Sequence, residues 1–311
     1  MEFAASKQQM SGGLHLRLPA TSANLGPGFD TLALALDVHL EVKARAADVF
    51  SIRATGRGPE VCGALHRNLL LDVYCKTLDA NGRALMPLAL EVANGIPLGM
   101  GCGSSAAVRL AGVALAAHFG GLGWTRDEIL EEAARLEGHP DNAAACWLGG
   151  FVAGSWDGKR LRAVSFAPPA AWRALVVLPE RPLATVASRA VLPESYPRAD
   201  IVANLQRVAV LTGAFAAGRG DLIADAMRDR MHQPYRSEVC PLLPQLLPLS
   251  GTNGVLGVAL SGAGPAVLVL AESAKGAQRA EERVQEILRD GDPIEVLRCG
   301  LETKAAHMAE Y

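Results

Sequence analysis

Several common signatures are missing from this sequence. Its six cysteines include no C-x-x-C pair and its seven histidines form no cluster, so a structural zinc site is not expected. No uninterrupted apolar run is long enough to span a membrane, and the N-terminus has no apolar segment typical of a secretory signal. We therefore expect a cytoplasmic protein with reduced thiols and no membrane partner.

An excess of either charge is also missing. The formal net charge is −2, so no bulk attraction to nucleic acid or to an anionic membrane is expected. Half of the residues are hydrophobic and a fifth are charged, which is ordinary for a globular enzyme. A chain of 311 residues is long enough for two domains, each with its own core.

A Walker A loop is absent, yet residues 97–107 read P-L-G-M-G-C-G-S-S-A-A and lead into an apolar helical pattern. Glycines at alternate positions leave backbone N–H groups free to close around an anion, and the helix that follows directs its positive end to the same place. The stretch therefore predicts a polyphosphate site. Its residues are Pro97, Leu98, Gly99, Met100, Gly101, Cys102, Gly103, Ser104, Ser105, Ala106 and Ala107.

Other interpretations of this stretch remain open. Residues 101–106 also match the dinucleotide fingerprint G-x-G-x-x-A, but a glycine pair and another helix follow where a second Rossmann strand should stand. A nicotinamide-dependent oxidoreductase is therefore a weaker hypothesis. A glycine-rich turn without any ligand is the structural alternative.

Three further segments carry polar groups in glycine- or proline-rich contexts. Residues 21–30 predict either a simple turn or a substrate-facing loop in which Asn24 and Asp30 receive a ligand. Residues 261–265 predict a tight hairpin or a backbone wall against a ligand. Residues 137–142, with His139, Asp141 and Asn142, end one helix and begin another. Glu131 lies two turns before His139, where a solvated carboxylate is the ordinary case.

The periodicity mixes strands and helices without strict alternation, which favours an α+β fold over a doubly wound sheet. Thr125 and Glu128 form a capping-box pattern that predicts a helix over residues 126–137. Residues 149–154 lead into a second region. We place the boundary after residue 157, giving domains 1–157 and 158–311.

The order of the three glycine-containing segments resembles the three motifs of the GHMP kinase superfamily. The middle one is similar to its P-x-x-x-G-L-G-S-S-A-A loop, with Cys102 in place of leucine. Within that superfamily, the first motif, the G-H-P-D-N run at 138–142 and the H-Q-P-Y-R run at 232–236 resemble the homoserine kinase family. These motifs span nearly the whole chain.

The resemblance implies an N-terminal domain like ribosomal protein S5 domain 2, a ferredoxin-like C-terminal domain and a homodimer. It implies that the glycine loop binds ATP, that Asn68 lies near the adenine, and that Ser105 and Glu131 hold Mg²⁺. It also implies phosphorylation of L-homoserine, with Asn142 orienting the substrate and Asp141 as the residue to test as a base. The implied substrate residues are Asn24, Asp30, His139, Asp141, Asn142, Thr185, Arg189, Arg236 and Gly264.

The chemistry of these residue types is compatible with a zwitterion. Homoserine needs cations for its carboxylate, which Arg189 and Arg236 offer, and acceptors for its ammonium, which Asp30 and Asn24 offer. Mevalonate and shikimate lack the ammonium group, so another small-molecule kinase of the superfamily explains this set less well. A catalytically silent nucleotide-binding sensor is the alternative from a different class.

Overall fold

The computed structural model describes residues 12–183 and 185–311, and within them eleven β-strands form two sheets. The strands are β1 Leu14–Asn24, β2 Gly28–Ala46, β3 Ser51–Gly56, β4 Leu88–Asn94, β5 Phe151–Trp156, β6 Leu161–Phe166, β7 Arg173–Pro179, β8 Val255–Leu260, β9 Val267–Ala271, β10 Ile294–Cys299 and β11 His307–Glu310.

Eleven α-helices accompany these strands in the described ranges. They are α1 Pro59–Cys62, α2 Leu69–Ala80, α3 Ser104–Phe119, α4 Arg126–Glu137, α5 Asp141–Leu148, α6 Thr185–Ala190, α7 Arg198–Ala217, α8 Ile223–Ala226, α9 Gln233–Arg236, α10 Leu242–Leu246 and α11 Ala274–Ile287. Within the same ranges, no helix combines the length and apolar character that crossing a membrane requires.

The first sheet has seven strands in the order β11-β1-β2-β4-β3, with β5 pairing on β2 and β6 on β5. Only β3 and β4 run parallel; the other pairs are antiparallel. Alternating leucines of β1, such as Leu14, Leu16 and Leu18, are buried beneath the helical layer. The alanine-rich helix α3 lies at the centre of that layer, since most of its residues are buried.

The second sheet is four-stranded, antiparallel and ordered β10-β7-β9-β8. Counted along the chain, this is the 4-1-3-2 order of a ferredoxin-like domain, with α11 between the third and fourth strands. Its core is separate, built from residues such as Val267, Val269 and Val284. The predicted α+β class and the two-domain organisation are confirmed.

The structure corrects the predicted position of the domain boundary. Residues 149–154 were expected to lead into the second region, but β6, which follows the predicted boundary, pairs with β5, and β5 pairs with β2 of the first sheet. A division after residue 157 therefore falls inside a β-hairpin, and sheet membership places the division after Phe166. The chain also returns, because β11 pairs with β1. The pairings of β5 with β2 and of β11 with β1 join residues far apart in sequence.

Candidate active site

The glycine-rich segment at 97–103 forms the loop between β4 and α3. Gly99, Gly101 and Gly103 have φ angles of 68°, 78° and 70°, in the left-handed region. A Cβ on Gly103 would lie 1.9 Å from Oγ1 of Thr21, and one on Gly101 would lie 2.1 Å from the carbonyl oxygen of Ser261. The loop needs glycine both for its backbone conformation and because two other segments press against it.

Helix α3 begins directly behind this loop. It runs for 16 residues from Ser104, and its N-cap, Gly103, provides no side chain to bond the first amides. The unpaired amides and the positive end of the helix therefore face the space in front of the loop. Such a terminus favours an anion, as the sequence pattern predicted.

A cavity of about 110 Å³ opens at this helix terminus, between the two sheets. It collects polar residues from both domains. Its lining consists of Asn24, Asp30, Gly99, Gly101, Cys102, Gly103, Ser104, Ser105, Glu137, His139, Asp141, Asn142, Leu183, Arg189, Arg236, Gly262 and Ala263. Most of the predicted site residues thus meet at one place, although they come from five distant stretches of sequence.

Asp30 and Arg189 face each other across the cavity. Nη2 of Arg189 donates to Oδ1 of Asp30 over 2.6 Å, and Nη1 donates to Oδ2 over 3.1 Å. Asp30 has a φ of 54°, a left-handed conformation that its amide stabilises by donating to Oδ1 of Asn24 over 3.0 Å. The Asn24 amide in turn donates to the carbonyl of Gly262. The predicted acceptor for an ammonium and the predicted cation for a carboxylate are therefore paired with each other.

Arg236 is buried at the base of the cavity, with 1% of its surface exposed. Its Nε donates to the Ser188 carbonyl and its Nη1 approaches Nδ1 of His232 at 3.2 Å. Burial, together with the charge of Arg189, lowers the pKa of Arg236. Both guanidinium groups lie 5.3 Å from the centre of the Phe29 ring, so the ring holds two cations side by side.

His232, which the sequence motif contained without a role, orients Arg236. Its Nε2 lies 2.7 Å from the Gly26 carbonyl, so Nε2 carries the proton and Nδ1 is left to accept from Arg236. Burial lowers the pKa of His232, although the charge of Asp229 opposes this. The imidazole therefore stays neutral at pH 7 and can accept the bond.

His139, Asp141 and Asn142 form a connected network at the start of α5. Oδ1 of Asp141 lies 2.6 Å from Nδ1 of His139 and accepts the Asn142 amide over 2.7 Å. Burial lowers the pKa of His139, but the hydrogen bond to Asp141 and the charges of nearby carboxylates outweigh it, so the net pKa is raised. Thr21 fixes Asn142 by donating to its Oδ1 over 2.7 Å.

The structure does not bring Glu131 to Ser105. The Glu131 carboxylate accepts the amide of Leu161, on the other side of α4. Glu137 takes the predicted place instead: its Oε2 lies 3.4 Å from Oγ of Ser105. Six residues rotate the helix by about 240°, so the two glutamates cannot share a face. The signal that could have identified Glu137 is its position directly before the G-H-P-D-N run at 138–142, which the sequence placed at the substrate.

Several other predicted residues lie outside the cavity. Ala106 and Ala107 are core residues of α3, and Gly264 faces Cys240. Helix α6 begins at Thr185, whose side chain lies outside the described part of the structure. The hairpin at 261–265 presses on the glycine loop, since Oγ of Ser261 donates to the Gly101 carbonyl over 2.8 Å.

Asn68 has a structural role. Its Oδ1 accepts from the amides of Leu70 and Leu71 at the start of α2, and its Nδ2 donates to the carbonyls of Cys62 and Ala64. These bonds occupy both the oxygen and the nitrogen of the side-chain amide, so Asn68 has no polar group left to bind the adenine of ATP. It positions the turn before α2 instead.

A second cavity, of about 540 Å³, adjoins the outer side of the glycine loop. It lies in the cleft between the domains, where Arg57 pairs with Glu295. Pro97, Leu98 and Met100, the glycine-loop residues that do not line the first cavity, face this second cavity. Its lining consists of Arg57, Gly58, Glu60, Val61, Pro97, Leu98, Met100, Leu178, Pro179, Glu180, Pro293, Ile294 and Glu295.

Known proteins resemble this chain over most of its length. The family profiles described as GHMP kinases N terminal domain and GHMP kinases C terminal match residues 68–150 and 211–290. A homoserine kinase from Solibacter usitatus is 46% identical over 292 residues, which cover 92% of this chain and 94% of the relative. The chain belongs to the homoserine kinase family. Another family member, from Streptomyces avermitilis, is 40% identical, covering 85% of this chain and 87% of the relative.

Solved structures agree with this family assignment. The crystal structure of homoserine kinase from Cytophaga hutchinsonii matches with a TM-score of 0.81 and 27% identity, covering 97% of this chain and 99% of that one. Lactococcus lactis galactokinase, at 12% identity and a TM-score of 0.66 over 95% of each chain, shares the fold. The chain is thus a kinase with the two-domain GHMP architecture.

Proposed function

We propose that this chain transfers the γ-phosphoryl group of ATP to the side-chain hydroxyl of L-homoserine, giving O-phospho-L-homoserine and ADP. The observation that carries the proposal is the meeting of one carboxylate, Asp30, and two guanidinium groups, Arg189 and Arg236, beside the glycine loop and the terminus of α3. This set of charges complements a zwitterion placed next to a polyphosphate. The names of the relatives support the same substrate.

The ion pair between Asp30 and Arg189 suggests how the substrate enters. The ammonium of homoserine replaces Arg189 on Asp30, while its carboxylate accepts from Arg189 and Arg236. One ion pair is thereby exchanged for two, so the carboxylate and the guanidinium groups are not left unpaired. The side chains of the pair are 31% and 38% exposed, which leaves them room to separate.

The residues also fit the bound nucleotide. The glycine-loop amides and the α3 terminus would receive the phosphates, and the second cavity, with Val61 and Leu98 in its wall, would receive the adenine. Hydroxyl and carboxylate oxygens are the ligands that Mg²⁺ prefers, so Ser105 and Glu137 would hold it. Bound there, the ion would neutralise charge on the phosphates.

Catalysis in this proposal is positioning and charge stabilisation. The homoserine hydroxyl oxygen forms a bond to the γ-phosphorus as the bond to the leaving ADP oxygen breaks, and the hydroxyl proton is released. Oδ1 of Asp141 already accepts bonds from His139 and Asn142, which makes this carboxylate a poor base. Asn142, fixed by Thr21, orients the substrate.

This account predicts that Asp141→Asn retains measurable turnover. An asparagine Oδ1 can still accept from His139, so the network changes without losing its geometry. We expect kcat to fall by about 10- to 100-fold, because the charge that orients the imidazole is lost. Complete loss of turnover with unchanged affinities for ATP and homoserine would show that Asp141 is the base.

The proposed reaction is tested by ADP release from Mg·ATP with purified protein. L-homoserine is offered beside serine, threonine, mevalonate, shikimate and galactose. Turnover with homoserine alone is the expected result. Turnover with a different alcohol would keep the phosphate site and reject the substrate, and nucleotide binding without any turnover would favour a sensor.

Three expectations about the cellular context remain predictions. They are a homodimer, a cytoplasmic location, and no nucleic acid or membrane partner. Exposed apolar residues on α7, among them Ile201, Val202 and Leu205, offer a surface for the dimer. Light scattering on the eluted protein would measure the oligomeric state.

A further inference from the structure

Arg109 lies at the point where the two oxygen ligands proposed for Mg²⁺ converge. It stands one helical turn after Ser105 on α3, so both side chains leave the same face of the helix. Its Nη1 donates to Oγ of Ser105 and, over 2.6 Å, to Oε2 of Glu137. The side chains of Arg109 and Glu137 are 23% and 12% exposed, so this contact is largely shielded from water.

The guanidinium and a metal ion cannot use these oxygens at the same time. Oγ of Ser105 and Oε2 of Glu137 are 3.4 Å apart. An ion held by both oxygens would lie directly beside Nη1, which already contacts both of them. Two cations that share one carboxylate oxygen at such close range would repel each other strongly.

We propose that Arg109 is an internal counter-ion for the metal ligands. Without metal, its guanidinium neutralises Glu137 and holds Ser105 and Glu137 together at the end of the glycine loop. With Mg·nucleotide bound, Ser105 and Glu137 would hold the ion, and Arg109 would withdraw from at least one of these two side chains. The inference rests on the proposed function and assigns a positioning role to Arg109.

The surrounding charges explain why such a counter-ion is useful. Asp30 and Asp141 also line the cavity, and Asp30 is already paired with Arg189. Without Arg109, Glu137 would present an uncompensated carboxylate directly to the phosphates of an incoming nucleotide. Without metal, the Arg109 guanidinium thus removes the repulsion between Glu137 and the nucleotide phosphates. When Mg²⁺ is present, the same guanidinium competes with the ion for Glu137.

The proposal predicts that the variant Arg109→Met binds ADP more weakly without Mg²⁺ but responds to lower Mg²⁺ concentrations. ADP binding is measured by calorimetry, first with a chelator and then at increasing Mg²⁺. We expect metal-free ADP to bind about five- to tenfold more weakly, because Glu137 is no longer neutralised. The Mg²⁺ concentration that gives half of the gain in ADP affinity should fall by a similar factor, because the competing cation is gone.

Two further variants complete the experiment. Arg109→Lys keeps a positive charge without the planar fork, so both effects should be smaller, and it serves if the methionine variant does not fold. Arg135→Met is the matched control, because Arg135 is an exposed residue of α4 that pairs only with Glu132 in the described structure. The control should leave both affinities unchanged.

The other outcomes are distinguishable. Equal weakening of ADP binding with and without Mg²⁺ would mean that Arg109 contacts the phosphates in both states, which overturns the proposal. Unchanged affinities in Arg109→Met would overturn it as well. If the unmodified protein gains no ADP affinity from Mg²⁺, the proposed metal site fails and the inference fails with it.

Discussion

Among single residues, the charged groups of the cavity are paired with one another and must exchange partners when a substrate binds. Asp30 is the clearest case, because a left-handed backbone and the Asn24 side chain hold it in place while its carboxylate pairs with Arg189. In our account this carboxylate is the acceptor for the substrate ammonium.

Asp30→Asn should therefore raise the KM for L-homoserine by about 10- to 100-fold, the range expected for loss of one charge-assisted hydrogen bond. The KM for ATP should change little, because the glycine loop does not depend on this side chain. Steady-state kinetics with each substrate varied in turn measures both values. Equal changes in the two KM values would instead indicate a general disruption of the site.

The two histidines of the site should respond to pH in opposite directions. The raised pKa of His139 means that its imidazolium stabilises the fold below about pH 6.5, and that this contribution is lost as pH rises through the raised value. The lowered pKa of His232 means that its neutral form stabilises the fold above about pH 6.5, and that this contribution is lost as pH falls. Nitrogen-15 NMR titration, with His139→Gln for assignment, checks both. A His232 that titrates above pH 6.5 would contradict its role in accepting from Arg236.

Among the elements of secondary structure, the loop between β4 and α3 is the most constrained. Gly103 combines a left-handed φ of 70° with a close approach to Thr21, whose hydroxyl also fixes Asn142. The loop, β1 and α5 are therefore coupled through one threonine. A change in the loop should disturb nucleotide binding and substrate orientation together.

Gly103→Ala should lower the free energy of unfolding by more than the roughly 1–2 kcal/mol of a left-handed alanine and should raise the KM for ATP. Gly82→Ala is the matched control, because Gly82 has a similar φ of 63° and nothing within 4 Å of its added Cβ. Urea unfolding and steady-state kinetics provide the comparison. Equal loss of stability in the two variants would show that the contact with Thr21 is easily relieved.

Local signals in the sequence predicted individual elements well. The capping box at Thr125 is present, and α4 runs over the predicted residues 126–137. Long-range pairing was not predictable: the boundary after residue 157 placed β6 in the second domain, whereas β6 joins the first sheet through β5, and the C-terminal strand β11 pairs with β1. The partner of β5 is β2 and the partner of β11 is β1, and both lie too far away in sequence for any local pattern to indicate them.

In the candidate site, too, local sequence patterns were informative and contacts between distant elements were not. Local motifs indicated Asp30 and His139, because short runs of glycine, proline and polar residues mark loops that face a ligand, whereas Arg189 came only from the family resemblance. They did not supply Arg109 or the choice of Glu137 over Glu131, since these depend on which faces of α3 and α4 meet.

For the whole molecule, the cavity depends on how the two sheets meet. The hairpin between β8 and β9 binds β1 through Ser261 and Ser22, whose Oγ atoms are 2.9 Å apart, and through the Gly262 amide, which donates to the Ala23 carbonyl. Each domain supplies part of the zwitterion site: Asp30 comes from the first, and Arg189 and Arg236 from the second. Recognition of both substrate charges is therefore a property of the assembled pair of domains.

The most direct test of this central claim compares three acceptors that carry the same hydroxyl. They are L-homoserine, 4-hydroxybutanoate, which lacks the ammonium, and 3-aminopropan-1-ol, which lacks the carboxylate. The account predicts that kcat/KM for ADP release falls by about 100-fold or more for each truncated acceptor, because each leaves a charged group of the site without its partner. Comparable kcat/KM values for homoserine and either truncated acceptor would contradict it.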